Sequence, residues 1–199
     1  VIRPSNSPHR SAAFMVRNHA EIKRGKARMV INYKRLNDNT EDDKYNIPDI
    51  DQLINRIQTA KIFSKFDCKL GFWQIKMEKE SIPWIAFCCS QGHYEWLVMP
   101  FGLKNAPSIF QRKMDSIFNK YSFILVYIDD ILVFSPDKSS HIDHLYITLE
   151  EFINNGIIII KKKMVLNKPY IEFLGMELGD GKIRLQPHIV KKILDYPDK

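Results

Sequence analysis

The chain has 199 residues, 45% of them hydrophobic and 27% charged, which is an ordinary balance for a soluble globular protein. No apolar stretch approaches the roughly 20 residues that a membrane-spanning helix needs, and no signal-peptide pattern opens the chain, so we expect an intracellular protein without membrane contact. The formal net charge of +7 suits a polyanionic partner, but a merely basic protein would carry it equally well. The cysteines Cys68, Cys88 and Cys89 form no CxxC pair, which argues against structural zinc and against a disulfide framework.

Apolar periodicity predicts a mixed series of strands and helices. The strands are expected at 11–16, at 27–33 beyond a basic turn, at 60–67, in "FWQIKM", "PWIAFCCS" and "YEWLVM", in a hairpin over 123–135, and in "GIIIIKKKMVL" and "YIEFLGMEL". The stretch "KIRLQP" then leads to the end of the chain. Helices are expected from about Pro48, over 105–121, over about 140–155 and in "HIVKKILDY". The predicted buried faces are Ile50, Leu53, Ile54 and Ile57; Ile109, Phe110, Met114, Ile117, Phe118 and Tyr121; and Ile142, Leu145, Leu149 and Ile153.

After Ala60 the predicted order is strand, helix, hairpin, helix and strand, with the last strand at 157–160. This order is the split βαβ pattern of an α+β, ferredoxin-like domain with an antiparallel sheet. The first strand ends at Asp67, and the hairpin "FILVYIDDILVFS" places Asp129 and Asp130 at its turn. We therefore expect the three carboxylates to meet at one edge of the sheet.

Paired aspartates between such apolar arms need an explanation, because a buried carboxylate is costly without a charged or hydrogen-bonding partner. Three carboxylates from two strands could hold two Mg²⁺ ions, since Mg²⁺ prefers oxygen ligands and lets phosphates complete its shell. The alternative is an ordinary polar turn, although Asn-Gly or Asp-Gly would suit a tight hairpin better. His141 and His144 are three residues apart on a predicted helix, but no third ligand is visible, so a solvated helix face is the preferred interpretation.

Five stretches in order resemble the motifs of reverse transcriptases. They are the fingers segment "SPHRSAAFMVRNHAEIKRGKARMVINYKRLND", the first-aspartate motif "FSKFDCKLGFWQIKM", the following motif "LVMPFGLKNAPSIFQRKMD", the Tyr-x-Asp-Asp box "YIDDILVFS" and the primer-grip hairpin "IEFLGMEL". The resemblance covers essentially the whole chain, from Ile2 to about Tyr196. It is greatest to plant pararetroviruses, the badnavirus-like Caulimoviridae, and next to gypsy-type retrotransposons.

The resemblance implies a right-hand polymerase of which this chain supplies fingers and palm. The implied segments are fingers at 1–60, the first palm strand and its motif at 61–78, returning fingers at 79–106, and palm with the primer-grip hairpin at 107–199. A thumb and an RNase H domain are absent from this chain under that assignment. The implied activity is RNA-directed DNA polymerisation by two-metal phosphoryl transfer to a primer 3′-OH.

Site residues follow from the same resemblance, position by position. The implied catalytic residues and metal ligands are Asp67, Asp129 and Asp130, with the backbone carbonyl of Cys68 as a further ligand to two Mg²⁺ ions or, alternatively, Mn²⁺. The implied dNTP-binding residues are Lys23, Lys26, Arg28, Leu70, Gly71, Phe72, Phe101, Gln111 and Lys163. Either Lys23 or Lys26 matches the family's triphosphate lysine, and Lys162 or Lys163 its pyrophosphate lysine. The implied primer and template contacts are Gly102, Tyr127, Ile128, Phe173, Leu174, Gly175 and Met176.

Phe72 matches the steric gate that excludes a ribose 2′-OH, although the local sequence alone would equally place it in a Phe-Trp core pair. The gate distinguishes this interpretation from an RNA-directed RNA polymerase with the same palm. Phe101 and Asn32 differ from the retroviral residues at these positions but match the plant group. Leu70 stands where relatives usually have a small polar residue, and it supports the alternative of an inactive, nucleic-acid-binding remnant of an integrated element.

The implied partners are primer-template as RNA/DNA or DNA/DNA, dNTPs, and the RNase H and aspartic protease domains of the same polyprotein. The implied location is the host cytoplasm or a virus-like particle.

Overall fold

The computed structural model describes residues 1–16, 28–49, 53, 55–57 and 59–185. Its chain forms two compact units, each built from two separate stretches of sequence. The first unit contains Val1–Tyr45 and Leu70–Phe110, and the second contains Asn46–Lys69 and Gln111–Lys199. Strands and helices are mixed in an α+β arrangement, as the sequence pattern predicted. No helix in the described part of the chain is long and apolar enough to cross a bilayer.

The first unit contains a five-stranded sheet. Its strands are β1 (Ile2–Pro4), β2 (Ser11–Val16), β3 (Arg28–Ile31), β5 (Phe87–Cys89) and β6 (Gly92–Trp96), and they lie in the order β1-β6-β5-β2-β3. Neighbouring strands pair antiparallel except β2 and β5, which are parallel. An aromatic core that includes Tyr33, Phe87 and Trp96 packs in this unit.

The second unit contains a four-stranded antiparallel sheet. Its strands are β4 (Ile62–Asp67), β7 (Ile124–Tyr127), β8 (Asp130–Ser135) and β9 (Val165–Lys168), and they lie in the order β7-β8-β4-β9. This arrangement is the split βαβ pattern that the sequence predicted, with the first strand of the motif between the hairpin and the last strand. The last strand, however, lies at Val165–Lys168 instead of 157–160, where only an isolated bridge joins Ile159 to Cys68.

A three-stranded antiparallel sheet completes the second unit: β10 (Tyr170–Phe173), β11 (Met176–Gly179) and β12 (Lys182–Leu185). We name β7 and β8, Ile124–Ser135, the aspartate hairpin, and β10 and β11, Tyr170–Gly179, the second hairpin. Buried side chains from both sheets form one core, which includes Phe63, Leu132 and Phe173. The predicted helix in "HIVKKILDY" lies outside the described residues.

Among the described residues, three α-helices have defined bounds: α1 (Lys34–Asp38), α2 (Ala106–Phe118) and α3 (Lys138–Asn154). The predicted buried face of α2 is confirmed for Phe110, Met114, Ile117 and Phe118, whereas Ile109 is exposed. Of the predicted helix after Pro48, Leu53 and Ile57 are buried, while Ile50 and Ile54 lie outside the described residues.

The predicted buried face of α3 is wrong for three of its four residues. Ile142, Leu149 and Ile153 are exposed and Leu145 is half-buried, whereas the helix buries His141, Thr148 and Phe152. These three residues recur at i, i+7 and i+11 and therefore share one helix face. His141 can be buried because the hydroxyls of two serines, Ser64 and Ser135, satisfy its ring nitrogens.

Three predicted strands are shorter than expected or absent. The stretch "FWQIKM" begins in a 3₁₀ turn, Gly71–Gln74, and "PWIAFCCS" contributes another, Ile82–Ile85, before β5. A third turn, Lys161–Lys163, interrupts "GIIIIKKKMVL". Apolar composition resembled that of a strand in each case, but Pro83 near the start of its turn favours a helical turn over a ladder.

Candidate active site at the edge of the four-stranded sheet

Asp67, Asp129 and Asp130 lie at one edge of the four-stranded sheet. β4 ends at Asp67 and β8 begins at Asp130, and these two residues are direct partners in the antiparallel ladder. Asp129 occupies the turn before β8, and its carbonyl oxygen accepts a hydrogen bond from the Cys68 N–H at 2.9 Å. The sheet thus brings together the three carboxylates, as the strand pattern predicted.

The electrostatics of this edge are unfavourable for bare carboxylates. Burial, with additional repulsion from Asp67 and Asp130, raises the pKa of Asp129 to about 6 against the opposing effect of Lys163. Burial also raises the pKa of Asp130, although Lys65 acts in the opposite direction. Asp129 Oδ1 is buried without a hydrogen-bond partner in the described part of the chain. Such an oxygen is costly unless a cation or a donor reaches it.

One lysine already reaches the site. Lys163 Nζ donates to Asp67 Oδ2 at 2.9 Å, and the turn Lys161–Lys163 presents it. The sequence left Lys162 and Lys163 open, and the structure selects Lys163 as the one that contacts the carboxylate. A cation here offsets part of the negative charge of the edge.

Cys68 has a side chain that is only 2% exposed. Burial, together with the charges of Asp129, Asp67 and Asp130, raises the pKa of its thiol to about 12. The thiol therefore stays protonated at neutral pH. The predicted role of the Cys68 carbonyl oxygen as a metal ligand stays a prediction.

The donor set of this edge fits a hard divalent cation, because it offers carboxylate oxygens and one of them is buried without a partner among the described residues. Within the same described ranges, no three acidic, histidine or cysteine side chains are placed to enclose a metal ion. The ion pair between Asp67 and Lys163 engages one of the three carboxylates. The edge thus offers ligands without a closed metal cage.

The turn of the aspartate hairpin is strained. Ile128 has a φ of +51°, although β-branched residues rarely adopt the left-handed region. Gln111, which is 0% exposed, holds this turn: its Oε1 accepts from Ile128 N–H at 2.7 Å and its Nε2 donates to Val126 O at 3.1 Å. The prediction that Gln111 contacts a nucleotide is therefore corrected. Its side chain is enclosed, and it positions the hairpin instead.

A buried polar network anchors the far end of the same hairpin. Ser135, the last residue of β8, hydrogen-bonds His141 Nδ1 at 2.7 Å and His144 Nδ1 at 2.8 Å through its hydroxyl. His141 Nε2 lies 2.7 Å from Ser64 Oγ on β4, and the His144 ring stacks on Phe123. The interpretation of the two histidines as a solvated helix face is wrong, because the network removes His141 from solvent.

The predicted primer contacts of the second hairpin differ in burial. Phe173 is 2% exposed and belongs to the core, so its predicted contact with a primer is corrected: the ring is enclosed. Leu174, Gly175 and Met176 are half-buried at the turn, and Tyr127 and Ile128 are half-buried in the aspartate hairpin. These five remain available for the predicted contact.

The sequence analysis missed Lys65. Its Nζ donates to the Glu172 carbonyl of β10 at 2.8 Å, and its charge lowers the pKa of Asp130. A signal was present, because Lys65 stands two residues before Asp67 on β4 and side chains at i and i+2 share one face of a strand. Lys65 thus joins the second hairpin to the strand that carries Asp67.

The first unit holds the other predicted nucleotide residues. A cavity of about 430 Å³ is lined by Met29, Val30, Ile31, Leu70, Trp73, Trp96, Pro100, Phe101 and Gly102. Phe72 is half-buried, with its ring centroid 5.3 Å from Phe101 and 5.7 Å from Phe110. Gly102 has a φ of +97°, which explains glycine at this position.

Leu70 and Gly71 begin the 3₁₀ turn of the first unit. Leu70 has left-handed φ and ψ of 51° and 52° and is 45% exposed, whereas Gly71 is buried. A small polar residue would adopt this conformation more readily, because Asn and Asp are enriched there. Lys23, Lys26 and the side chain of Arg28 lie outside the described residues, so their predicted triphosphate contacts stay predictions.

Comparison with known proteins agrees with these motifs. Residues 16–178 match the family model described as reverse transcriptase (RNA-dependent DNA polymerase). The whole chain is 56% identical to part of Polyprotein P3 of Commelina yellow mottle virus and 52% identical to part of the enzymatic polyprotein of Cauliflower mosaic virus (strain Strasbourg). It spans 11% and 29%, respectively, of the lengths of these relatives.

The fold agrees with solved structures of more distant proteins. The foamy viral protease-reverse transcriptase in complex with RNA/DNA hybrid matches all of this chain with a TM-score of 0.87 at 22% identity, over 26% of its own length. A form of that protein in complex with double-stranded DNA matches with a TM-score of 0.89 at 23% identity, over 34% of its length. Both likenesses concern the fold. The resemblance to reverse transcriptases drawn from the motifs is therefore confirmed: the chain belongs to the reverse transcriptase family, and its sequence relatives are polyproteins of the Caulimoviridae.

Proposed function

We propose that this chain is the polymerase part of a viral or retroelement polyprotein and extends a primer 3′-OH with dNTPs on an RNA or DNA template. The observation that carries the proposal is the meeting of Asp67, Asp129 and Asp130 at one sheet edge, with a buried oxygen of Asp129 that has no partner in the described residues. An isolated structural turn would gain nothing from this costly arrangement.

The chemistry assigned to the edge is phosphoryl transfer. Two Mg²⁺ ions, or Mn²⁺ in their place, would lower the pKa of the attacking hydroxyl and neutralise charge on the leaving pyrophosphate. Asp67 and Asp129 would hold the ions, with Asp130 and the Cys68 carbonyl in support. Lys163 would leave Asp67 when cations bind and contact the departing pyrophosphate, which its long exposed side chain permits.

The nucleotide site is assigned to the basic fingers turn and to the residues after Cys68. Arg28 with Lys23 or Lys26 would bind the triphosphate, and the N–H groups of Leu70 and Gly71 would add donors to it. Phe72 would lie under the deoxyribose. The aromatic cluster of Phe72, Phe101 and Phe110 supports a rigid gate, because the Phe72 ring is held by both neighbours.

The primer and template contacts assigned to this chain are Gly102, Tyr127, Ile128, Leu174, Gly175 and Met176. We assign the unit of Val1–Tyr45 and Leu70–Phe110 to the fingers side and the unit of Asn46–Lys69 and Gln111–Lys199 to the palm. In a polyprotein, RNase H and aspartic protease domains would be the covalent partners, and the host cytoplasm or a virus-like particle the place of action.

Primer extension tests the proposal. We expect the parent chain to extend a DNA primer on an RNA template with Mg²⁺ and dNTPs, and Asp129→Asn to reduce the rate by at least about 1000-fold, because an essential ligand is lost. Asp180→Asn, an exposed aspartate beyond the second hairpin, removes the same charge and should leave the rate unchanged. Binding of primer-template without extension by the parent would instead support the inactive remnant.

Sugar selection tests the gate. We expect Phe72→Val to admit ribonucleotides, because a smaller side chain removes the clash with a 2′-OH. Phe87→Val in the same unit is the control for the loss of aromatic volume. The ratio of extension rates with dNTPs and NTPs measures selection independently of total activity. An unchanged ratio in Phe72→Val would show that the gate lies elsewhere.

A further inference from the structure

A second cleft lies in the first unit, apart from the residues assigned to nucleotide and primer. It has a volume of about 530 Å³ and is lined by Pro8, His9, Arg10, Ser11, Arg35, Leu36, Asn39 and Trp84. None of these residues has a role in the polymerase chemistry proposed above. The lining combines an exposed aromatic side chain with two arginines and contains no carboxylate from the described part of the chain.

The aromatic part of the cleft is a fixed platform. Trp84 is 54% exposed, and one face of its indole stacks on His9 with ring centroids 4.1 Å apart and planes 23° from parallel. Ser7 connects the segment of His9 to the segment of Trp84, since its Oγ donates to the Pro83 carbonyl at 2.6 Å and accepts from His9 N–H at 3.0 Å. Because the imidazole of His9 stacks on one face of the Trp84 indole, the exposed opposite face can stack on another planar group.

The charged part of the cleft is unpaired. Arg10 and Arg35 are both exposed, and neither side chain forms an ion pair or a hydrogen bond with any residue that the structure describes. Guanidinium groups form bidentate hydrogen bonds with phosphate oxygens. The Asn39 side chain adds a further polar group to the lining of the same cleft. The cleft therefore presents cationic donors next to a stacking surface.

We propose that this cleft binds a segment of single-stranded nucleic acid, with a base stacked on Trp84 and adjacent phosphates contacted by Arg10 and Arg35. An acidic peptide would satisfy the arginines but would leave the indole without a planar partner. Base stacking beside a basic groove is the general mode of single-strand binding. The inference does not depend on polymerase activity, because binding of this kind requires neither metal ions nor nucleotides.

Fluorescence anisotropy of a labelled 12-nucleotide oligothymidine, without Mg²⁺ or dNTPs, tests the proposal. We expect Trp84→Leu to weaken binding about tenfold, in line with the loss of one stacked base, and Trp84→Phe to restore part of the affinity. Tyr146→Leu removes an even more exposed aromatic, 69% accessible on α3, and should change the affinity less than about twofold.

The arginines are tested by the salt dependence of binding. In the double variant Arg10→Gln/Arg35→Gln we expect the slope of log Kd against log salt to fall by about 1.4, because each lost phosphate contact on a single strand contributes about 0.7. Lys44→Gln/Lys79→Gln removes the same charge from exposed sites of the same unit and should leave the slope unchanged.

Two results would overturn the proposal. Equal weakening by the cleft variants and by their matched controls would mean that the oligonucleotide binds a diffuse basic surface. Displacement of the oligonucleotide by polyglutamate at equal charge concentration, with no effect of Trp84→Leu, would assign the cleft to acidic peptides. Because the binding assay contains no catalytic step, its outcome is independent of whether the chain extends a primer.

Discussion

The aspartate hairpin and the second hairpin solve the same geometric problem in different ways. The second hairpin turns through Leu174 and Gly175, both with positive φ, and glycine occupies the second of these positions. Such a turn matches the twist of the strands and needs little support. The aspartate hairpin turns through Ile128 and Asp129 without a glycine, its residue with positive φ is β-branched, and two carboxylates follow this residue directly.

The strained hairpin persists because its surroundings hold it. Gln111 binds the backbone at Val126 and Ile128, Ser135 is anchored to two histidines, and Lys163 offsets the charge of Asp67. Backbone strain and buried charge of this kind cluster at functional sites, where other contacts over-determine the local structure. The turn of the aspartate hairpin is therefore held in place by surrounding contacts that position its carboxylates. The turn of the second hairpin depends mainly on its own local conformation.

Removing the clamp should give the largest effect on this difference. In Gln111→Met, we expect the free energy of unfolding to fall by about 3 kcal/mol, because the Ile128 N–H and the Val126 carbonyl lose their partner in a buried setting. Urea unfolding followed by circular dichroism measures this loss. Gln91→Met, an exposed glutamine, is the control, and equal stability of the two variants would show that the clamp is dispensable.

The anchor at the far end should make stability depend on pH. Burial lowers the pKa of His141, so the folded chain resists a proton that the unfolded chain accepts below about pH 6.5. We therefore expect His141 to destabilise the folded chain as the pH drops from 7 to 5, against the opposite contribution of Asp129, whose raised pKa favours the folded state at the lower pH. His141→Asn should remove only the histidine's part, so the difference between the profiles of the variant and the parent measures it. A variant profile as steep as the parent's, with His93→Asn as the control for an unrelated histidine, would contradict the assignment.

The smallest predicted effect compares the two turns directly. Ile128→Asn should raise the free energy of unfolding by about 0.5 kcal/mol, because asparagine tolerates positive φ better than a β-branched residue. Leu174→Asn should lower it by about 1 kcal/mol, because Leu174 packs against the core of the second unit. A lower or unchanged free energy of unfolding in Ile128→Asn would show that strain at Ile128 has no measurable cost.

Much of this fold follows from local pattern, and the site follows from it in part. Apolar arms around Asp129 and Asp130 predicted the hairpin, and the order of strands and helices predicted that Asp67 would lie beside it. These features depend on periodicity within one element and on a connection rule between elements. The five motifs then identified the family without the structure.

The buried face of α3 and the role of Gln111 depend on contacts that no local sequence pattern encodes. The buried face of α3 could not be chosen from sequence, because Ile142 and Ile153 are more apolar than His141, and only the facing hydroxyls of Ser64 and Ser135 make the histidine the better core residue. Gln111 gave the same difficulty, since an isolated helical glutamine is usually exposed and its partners lie on a strand further along the chain.

The central claim is that the carboxylates at the edge of β4 and the aspartate hairpin hold divalent cations. The most direct measurement is Mn²⁺ binding followed by electron paramagnetic resonance, with the double variant Asp67→Asn/Asp129→Asn compared with the parent. A second double variant, Glu172→Gln/Glu177→Gln in the second hairpin, removes the same charge elsewhere. We predict that the aspartate variant loses at least about tenfold in Mn²⁺ affinity while the glutamate variant binds as the parent does. Unchanged Mn²⁺ binding by Asp67→Asn/Asp129→Asn would contradict the claim.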